Sequence, residues 1–376
     1  MRRFNGCWTL LACGTAVGLL WKTNEVSSGV RQGLISCSNV VIPALFPFMI
    51  LAGLIAATPV GGLLSKLLYP LTGRLAGMPH ALGSVLLMSF LGGFPVGARM
   101  LSELYQRREI SRDACQRALC CCVNAGPSFL ISAVGAGMLG SRQAGVFLLL
   151  AQLLSALAIG TAVFWPYRQT PAQSKRPSTA DGGGFVQAVQ GAAAGMLGIC
   201  AFVVAFSALS ALLRALGILP FAAALLGQLF PRLGSSFFDA ALTGLLEVTN
   251  GCVAAAQLHT REGFILCAFL VSFSSFSILF QIRSCFPADT DLSFAMFYRS
   301  RLAHGLLSAL LAGLFWRWLP VQVLSAIASS VQPVPVATPN RFISSICLVC
   351  MCTILLFPQS SAVSRFHTGI LRKNRV

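Results

Sequence analysis

The sequence predicts an all-α fold, a polytopic transmembrane helical bundle, and three observations predict it. Of the 376 residues, 56% are hydrophobic and only 10% are charged, against about a quarter charged in an ordinary soluble domain. Uncharged runs of about twenty residues, the length that spans a bilayer core as a helix, recur from end to end. The charge is lopsided, with 27 Lys and Arg against 10 Asp and Glu for a net of +17. In so apolar a chain that excess fits cytoplasmic loops and not a nucleic-acid surface. A soluble enzyme, a disordered tail and a secreted disulfide scaffold are excluded, and the partner of the surface is the lipid bilayer.

The elements follow in order. Residues 4–21 form the first run, behind Arg2 and Arg3. It outlasts a signal-peptide core and continues past Cys13, so 1–22 reads as an uncleaved signal anchor. Runs at 32–65, 75–98, 118–141 and 143–166 fill a first unit over 23–166, and 75–98 carries only His80. Residues 167–184 hold Gln, Ser, Thr, Pro and Gly with Arg168, Lys175 and Arg176, a polar cytoplasmic linker near the middle of the chain. Runs at 182–213, 263–282 and 302–316 belong to a second unit over 185–320. The last part, 321–376, holds a Pro-rich stretch at 332–339 without Lys or Arg, expected outside. A C-terminal helix at 342–357 and a basic tail with Arg365, Arg372, Lys373 and Arg375 follow. Eight to twelve crossings are expected, with both termini in the cytoplasm.

The fourteen cysteines lie mostly in apolar runs and read as packing residues. Cys120, Cys121 and Cys122 are consecutive, so a helix points them about 100° apart and not at one metal. There is no His-Glu-x-x-His and no phosphate-binding loop, and the four histidines are far apart in sequence. Neither enzyme activity nor a metal or other cofactor is expected.

The two units look like one unit used twice. Leu67-Leu68-Tyr69-Pro70 resembles Gln228-Leu229-Phe230-Pro231. Phe94-Pro95-Val96-Gly97 stands where Val248-Thr249-Asn250-Gly251 stands, each midway along an apolar stretch. Asn124-Ala125-Gly126-Pro127-Ser128-Phe129 matches Ser272 to Ser277. Arg99, Arg107, Arg108, Arg112 and Arg117 crowd the connection after the first break, whereas the equivalent one holds Arg261 beside Glu262. Unequal positive charge at matching places implies halves inserted in opposite senses, the build of a secondary transporter with broken helices.

The breaks carry the chemistry. Inside lipid a freed backbone group costs several kcal/mol unless something pairs it. Pro95 removes a donor, and Gly93 and Gly97 admit either a ligand or a tightly packed helix. Pro127 suits the first turn of a restarted helix, and Asn124 or Ser128 either caps it or meets a ligand. Of the ten acids, Glu247 alone falls inside an apolar span, at 240–256. It either carries a coupling proton or cation, or pairs structurally with Arg283 or Asn250. Ser272, Ser274, Ser275, Ser277 and Gln281 form a polar stripe that lines a pathway or bonds across helices. Arg99 and Arg283 either attract an anion or anchor topology.

These motifs, in this order, resemble the YlbJ-type (SpoVV) sporulation integral membrane proteins. The likeness runs from about Val30 to Leu319: Gly93 to Arg99, Asn124 to Pro127, Glu247 to Gly251, then Phe273 to Ser277 with Gln281. Arg301-Leu302-Ala303-His304-Gly305 looks like that family's Arg-x-x-His-Gly element. Asn250 and the cysteine-rich stretch around Cys121 depart from the family pattern. The resemblance implies a nucleoside-recognition (Gate) superfamily fold, and movement of dipicolinate across the outer forespore membrane. The expected site comprises Gly93, Phe94, Pro95, Gly97, Asn124, Gly126, Pro127, Ser128, Glu247, Thr249, Asn250, Gly251, Ser274, Ser275 and Gln281. The reading is a secondary transporter for a small anionic solute, with a coupling proton or cation. It sits in a bacterial cytoplasmic or outer forespore membrane. The alternatives are a non-transporting scaffold for spore envelope (cortex) assembly and a nucleoside-type transporter. Oligomeric state and direction of transport are left open by the sequence.

Overall fold

The computed structural model describes residues 13–56, 58–75, 77–167 and 184–329. Most of the expected anchor (1–12), the polar linker (168–183), the Pro-rich stretch, the C-terminal helix and the basic tail lie outside the described residues. Among the described residues every regular element is helical.

The first half opens with α1 (Thr23–Ser36), which passes through a wide turn (Cys37–Val41) into α2 (Ile42–Ala56). Pro43 and Pro47 have no N–H to give, and the widened turn just before them absorbs the missing bonds. Next come α3 (Pro59–Tyr69), α4 (His80–Gly92), α5 (Phe94–Gln106), α6 (Arg112–Cys121), the wide-turned α7 (Ser128–Met138) and α8 (Arg142–Phe164). The second half repeats that order: α9 (Phe185–Ala215), α10 (Ile218–Leu229), α11 (Gly234–Leu246), α12 (Val248–Ala256), α13 (Arg261–Phe273), α14 (Phe276–Ser284) and α15 (Ala295–Phe315), followed by α16 (Val321–Ser329).

Packing repeats with the order. The rods α1 and α9 pair across the halves, as do α8 and α15. Helix α5 meets α14 and α7 meets α12; α6 meets α15 and α8 meets α13. Exchanging the halves turns each pairing into another of the set, so the bundle has an approximate two-fold relation. In lipid, helices associate by close packing of small residues. Gly29 and Gly33, one turn apart on α1, do this at the rod pair: a Cβ on Gly33 would stand 3.0 Å from the Val204 Cα of α9.

The halves run in opposite senses. Helix α15, with 21 residues, is about 31 Å long. Its start follows Asp291, which accepts from Tyr105 at the end of α5 and lies 3.8 Å from Arg112 Nε at the start of α6. Near its other end the Gly313 carbonyl accepts from Arg261, the first residue of α13. The α5–α6 connection and its counterpart, the α12–α13 connection, therefore stand at opposite ends of α15. Arg117 of α6 makes the matching bond to the Val163 carbonyl of α8, at 2.6 Å.

The run at 75–98, expected as a crossing, doubles back instead. Gly93 has φ +81°, a left-handed conformation that an L side chain rarely adopts. A Cβ on Gly97 would reach Ser89, so residues four either side of Gly93 face each other across a hairpin. Each 13-residue arm measures about 20 Å, short of a bilayer core of about 30 Å. Helices α11 and α12 form the equivalent hairpin around Glu247, where Gly251 packs on Gly244. Within the described residues each half thus holds three lengthwise helical segments and one hairpin. In the first half the segments are α1–α2, α6–α7 and α8; in the second, α9, α13–α14 and α15. Thr23–Ile55, Arg142–Phe164, Phe185–Ala215 and Arg261–Ser284 are long and apolar enough to cross a membrane.

Candidate functional site: a cavity where four half-helices begin

The four breaks meet in the middle of the bundle. Gly93 sits on Gly126, where a Cβ would stand 3.6 Å from the Gly126 nitrogen. From this region α5, α7, α12 and α14 start outward, two toward each end. Between them is a small cavity of about 30 Å³, room for a water or two and a site that must open to admit a larger solute. Phe94 and Pro95 of α5 and Phe129 of α7 line one side together with Gly126. Glu247, Thr249, Ser277 and Gln281 line the other. Aliphatic pairs close it, Val41 of the wide turn with Leu45 of α2 from the first half and Ile199 with Val203 of α9 from the second. The wall is largely apolar, and Glu247 is its one ionisable residue.

Glu247 is 1% exposed and has an extended backbone, φ −143° and ψ 122°. Its Oε1 accepts from the Thr249 N–H (3.0 Å) and its Oε2 from the Asn250 N–H (2.8 Å). The carboxylate therefore caps its own half-helix, where the positive end of α12 favours a negative charge. Among the described residues no Lys, Arg or His forms an ion pair with it. Arg283, one expected partner, donates instead to the carbonyls of Phe286, Pro287 and Ala288 and faces the Phe294 ring at 5.1 Å. Asn250 serves Glu247 through its backbone only. Its side chain donates to Ser207 Oγ of α9 (3.0 Å).

Of the expected site residues, Phe94, Pro95, Gly126, Glu247, Thr249 and Gln281 come together at the cavity. Others serve the frame. A Cβ on Gly97 would overlap the Cys122 carbonyl oxygen, and one on Gly251 the Gly244 backbone, so both glycines allow close backbone packing. Gly93 makes the hairpin turn, and Pro127 and Ser128 start α7. Asn124 is buried and donates to Ser89 Oγ (3.0 Å) and the Cys121 carbonyl (2.7 Å). Ser274 and Ser275 form the turn between α13 and α14 with φ 71° and 25°. Such backbone costs of order 1–3 kcal/mol per residue and clusters where surrounding structure holds it in place. Arg99, considered as an anion attractor, donates to the Gly191 carbonyl of α9 (2.8 Å).

A second buried group braces the first-half break. Arg301 is completely buried, with Nη1 donating to the Val123 carbonyl (2.8 Å), Nη2 to the Cys120 carbonyl, and the guanidinium 5.3 Å from the Phe297 ring. It places a positive charge on the negative end of α6. Gln152 of α8 accepts from the Ala125 N–H (3.1 Å) and donates to the Ala125 carbonyl (3.0 Å), in the manner of a paired strand. His304 meets the Gln152 carbonyl at 3.2 Å. The sequence signal was available: Arg301, His304 and Ser308 fall on one face of α15, and the lipid-facing Leu302, Leu306 and Leu310 on another. Outside the bundle interior, the Asp291 carboxylate that accepts the Tyr105 hydroxyl holds that phenol above its usual range.

The cavity, the hairpins and the apolar passes describe an integral membrane protein. The chain is similar to the sporulation integral membrane protein YlbJ of Bacillus subtilis (strain 168). The two are 26% identical over 317 residues, covering 76% of each chain. No family model and no solved structure matches the chain. The likeness to YlbJ supports the YlbJ-type resemblance carried by the break motifs.

Proposed function

We propose that this protein is a secondary transporter, not an enzyme, that moves a small anionic solute through the central cavity. The observation that carries the reading is the cavity itself. It lies between two halves of opposite sense, at the start of four half-helices, where a transporter of inverted repeats binds its solute. The uncapped starts of α5, α7 and α14 offer backbone N–H groups to an anion. Dipicolinate is the solute that the family resemblance suggests, in a spore-forming host and at the outer forespore membrane. The α5–α6 connection, with Arg107, Arg108 and Arg112, belongs on the cytoplasmic side by its positive charge. The test is ligand-dependent thermal stabilisation of the purified protein. Dipicolinate should raise the melting temperature in a concentration-dependent way, and a nucleoside should not. Stabilisation by nucleosides alone would favour the nucleoside-type alternative.

One observation favours the scaffold reading. On α9 a Cβ at Gly191 or at Gly198 would meet nothing within 4 Å, so two small-residue positions stay open for another helix. A protein that binds no solute yet co-purifies with a membrane partner lost on Gly198→Leu would support it.

A further inference from the structure

We propose that Glu247 makes solute entry and proton binding one event, so that an anion occupies the cavity only when the Glu247 carboxyl is protonated. This rests on the transporter reading and specifies its coupling ion. The argument is one of charge and space. Glu247 stands in the cavity wall at 1% exposure, and both its oxygens already accept backbone N–H groups. Those bonds hold the carboxyl in place and leave it no freedom to swing away from an arriving anion. Repulsion between like charges is strong at low dielectric.

No other charge on the surrounding elements offsets it. On α5, Arg99 is turned to the Gly191 carbonyl. On α9, Arg214 is paired with Asp239 of α11. On α14, Arg283 holds the carbonyls beyond its own helix end. Helices α2, α7 and α12 carry no Lys, Arg, Asp, Glu or His. The ionisable groups that feel the Glu247 charge are the thiols Cys37 and Cys252. A metal cation has little to bind, since no group of three His, Cys, Asp or Glu side chains gathers among the described residues. A proton needs only the carboxyl. It leaves hydronium at the loading face and joins a Glu247 oxygen, and it returns to water where the solute leaves.

The experiment uses the full chain in detergent, with dipicolinate as the probe, between pH 6 and 8. There the carboxyls of dipicolinate, with carboxylate reference values of about 4, stay ionised. Wild-type affinity should fall by up to about tenfold per pH unit above the titration of Glu247. Adding dipicolinate to weakly buffered protein should take up one proton per site. Glu247→Gln, which keeps the shape and loses the charge, should bind without proton uptake and independently of pH. A Gln variant that keeps the pH dependence would overturn the proposal, as would wild-type binding without proton uptake. Where the Gln variant does not fold, the wild-type proton count decides alone. Binding to neither protein at any pH removes the transporter reading and this inference with it, and so is distinct from binding that is simply insensitive to pH.

Discussion

The guanidinium of Arg301, deep in α15, donates to the carbonyl of Val123 at 2.8 Å, just past the end of α6. Two buried charges thus stand on complementary helix ends: Arg301 on the negative end of α6, and Glu247 on the positive end of α12. Neither forms an ion pair among the described residues. Removing Arg301 leaves the Cys120 and Val123 carbonyls without that partner in a site closed to water. Arg301→Ala should destabilise the fold by about 2–4 kcal/mol, read as lost monodisperse protein in size-exclusion chromatography. Arg301→Lys keeps the charge but cannot span two carbonyls, and should fall between.

Close packing at the hairpins makes a second prediction. Gly97→Val would drive a side chain into the Cys122 carbonyl, and Gly251→Val into the Gly244 backbone. Both should abolish folded protein by overpacking, at more than about 3 kcal/mol. Gly198→Ala, with nothing within 4 Å of its Cβ, should leave the yield unchanged.

Ser274 holds φ 71° at the α13–α14 turn, where an L side chain is strained. Ser274→Gly should relieve about 1 kcal/mol and raise thermal stability by a few degrees. A fall in melting temperature would mean that the serine hydroxyl contributes more than the strain costs.

The opposite sense of the halves is open to labelling. In a background without native cysteines, Gln106→Cys at the end of α5 and Gln257→Cys at the end of α12 should react with a membrane-impermeant thiol reagent from opposite sides. Both positions are exposed. Labelling of both from one side would remove the inverted arrangement.

Much of this bundle was legible in the sequence, because lipid imposes a simple code. Apolar runs give passes, and Gly or Pro inside a run gives a break. The breaks at Gly93–Gly97 and Asn124–Ser128 were legible on those grounds; Val248–Gly251 and Ser272–Ser277 were legible by their match to the first half, and Glu247 by its charge in an apolar span. The hairpins were not: residues 75–98 have the length and hydropathy of a crossing, and the turn at Gly93 becomes plain only when Ser89 and Gly97 face each other. Six of the fifteen expected site residues face the cavity, and others, such as Gly97 and Asn124, shape the breaks. Sequence cannot tell a glycine that admits a ligand from one that admits a carbonyl. The aliphatic walls, Val41, Leu45, Ile199 and Val203, carry no signal in a chain where such residues are everywhere. Arg301 was visible as a motif, yet its partners are backbone carbonyls, which leave no side-chain pattern to read.

The central claim is that solute passes through the cavity between the halves. Counterflow in proteoliposomes tests it most directly, with labelled dipicolinate outside and unlabelled inside. The account predicts accumulation of label that depends on the protein. Replacing Phe94 by Trp, which fills the cavity wall, should cut it at least tenfold while folded protein stays near normal. Absence of counterflow with folded wild-type protein in the vesicles would contradict the account, as would full counterflow by the Phe94→Trp variant.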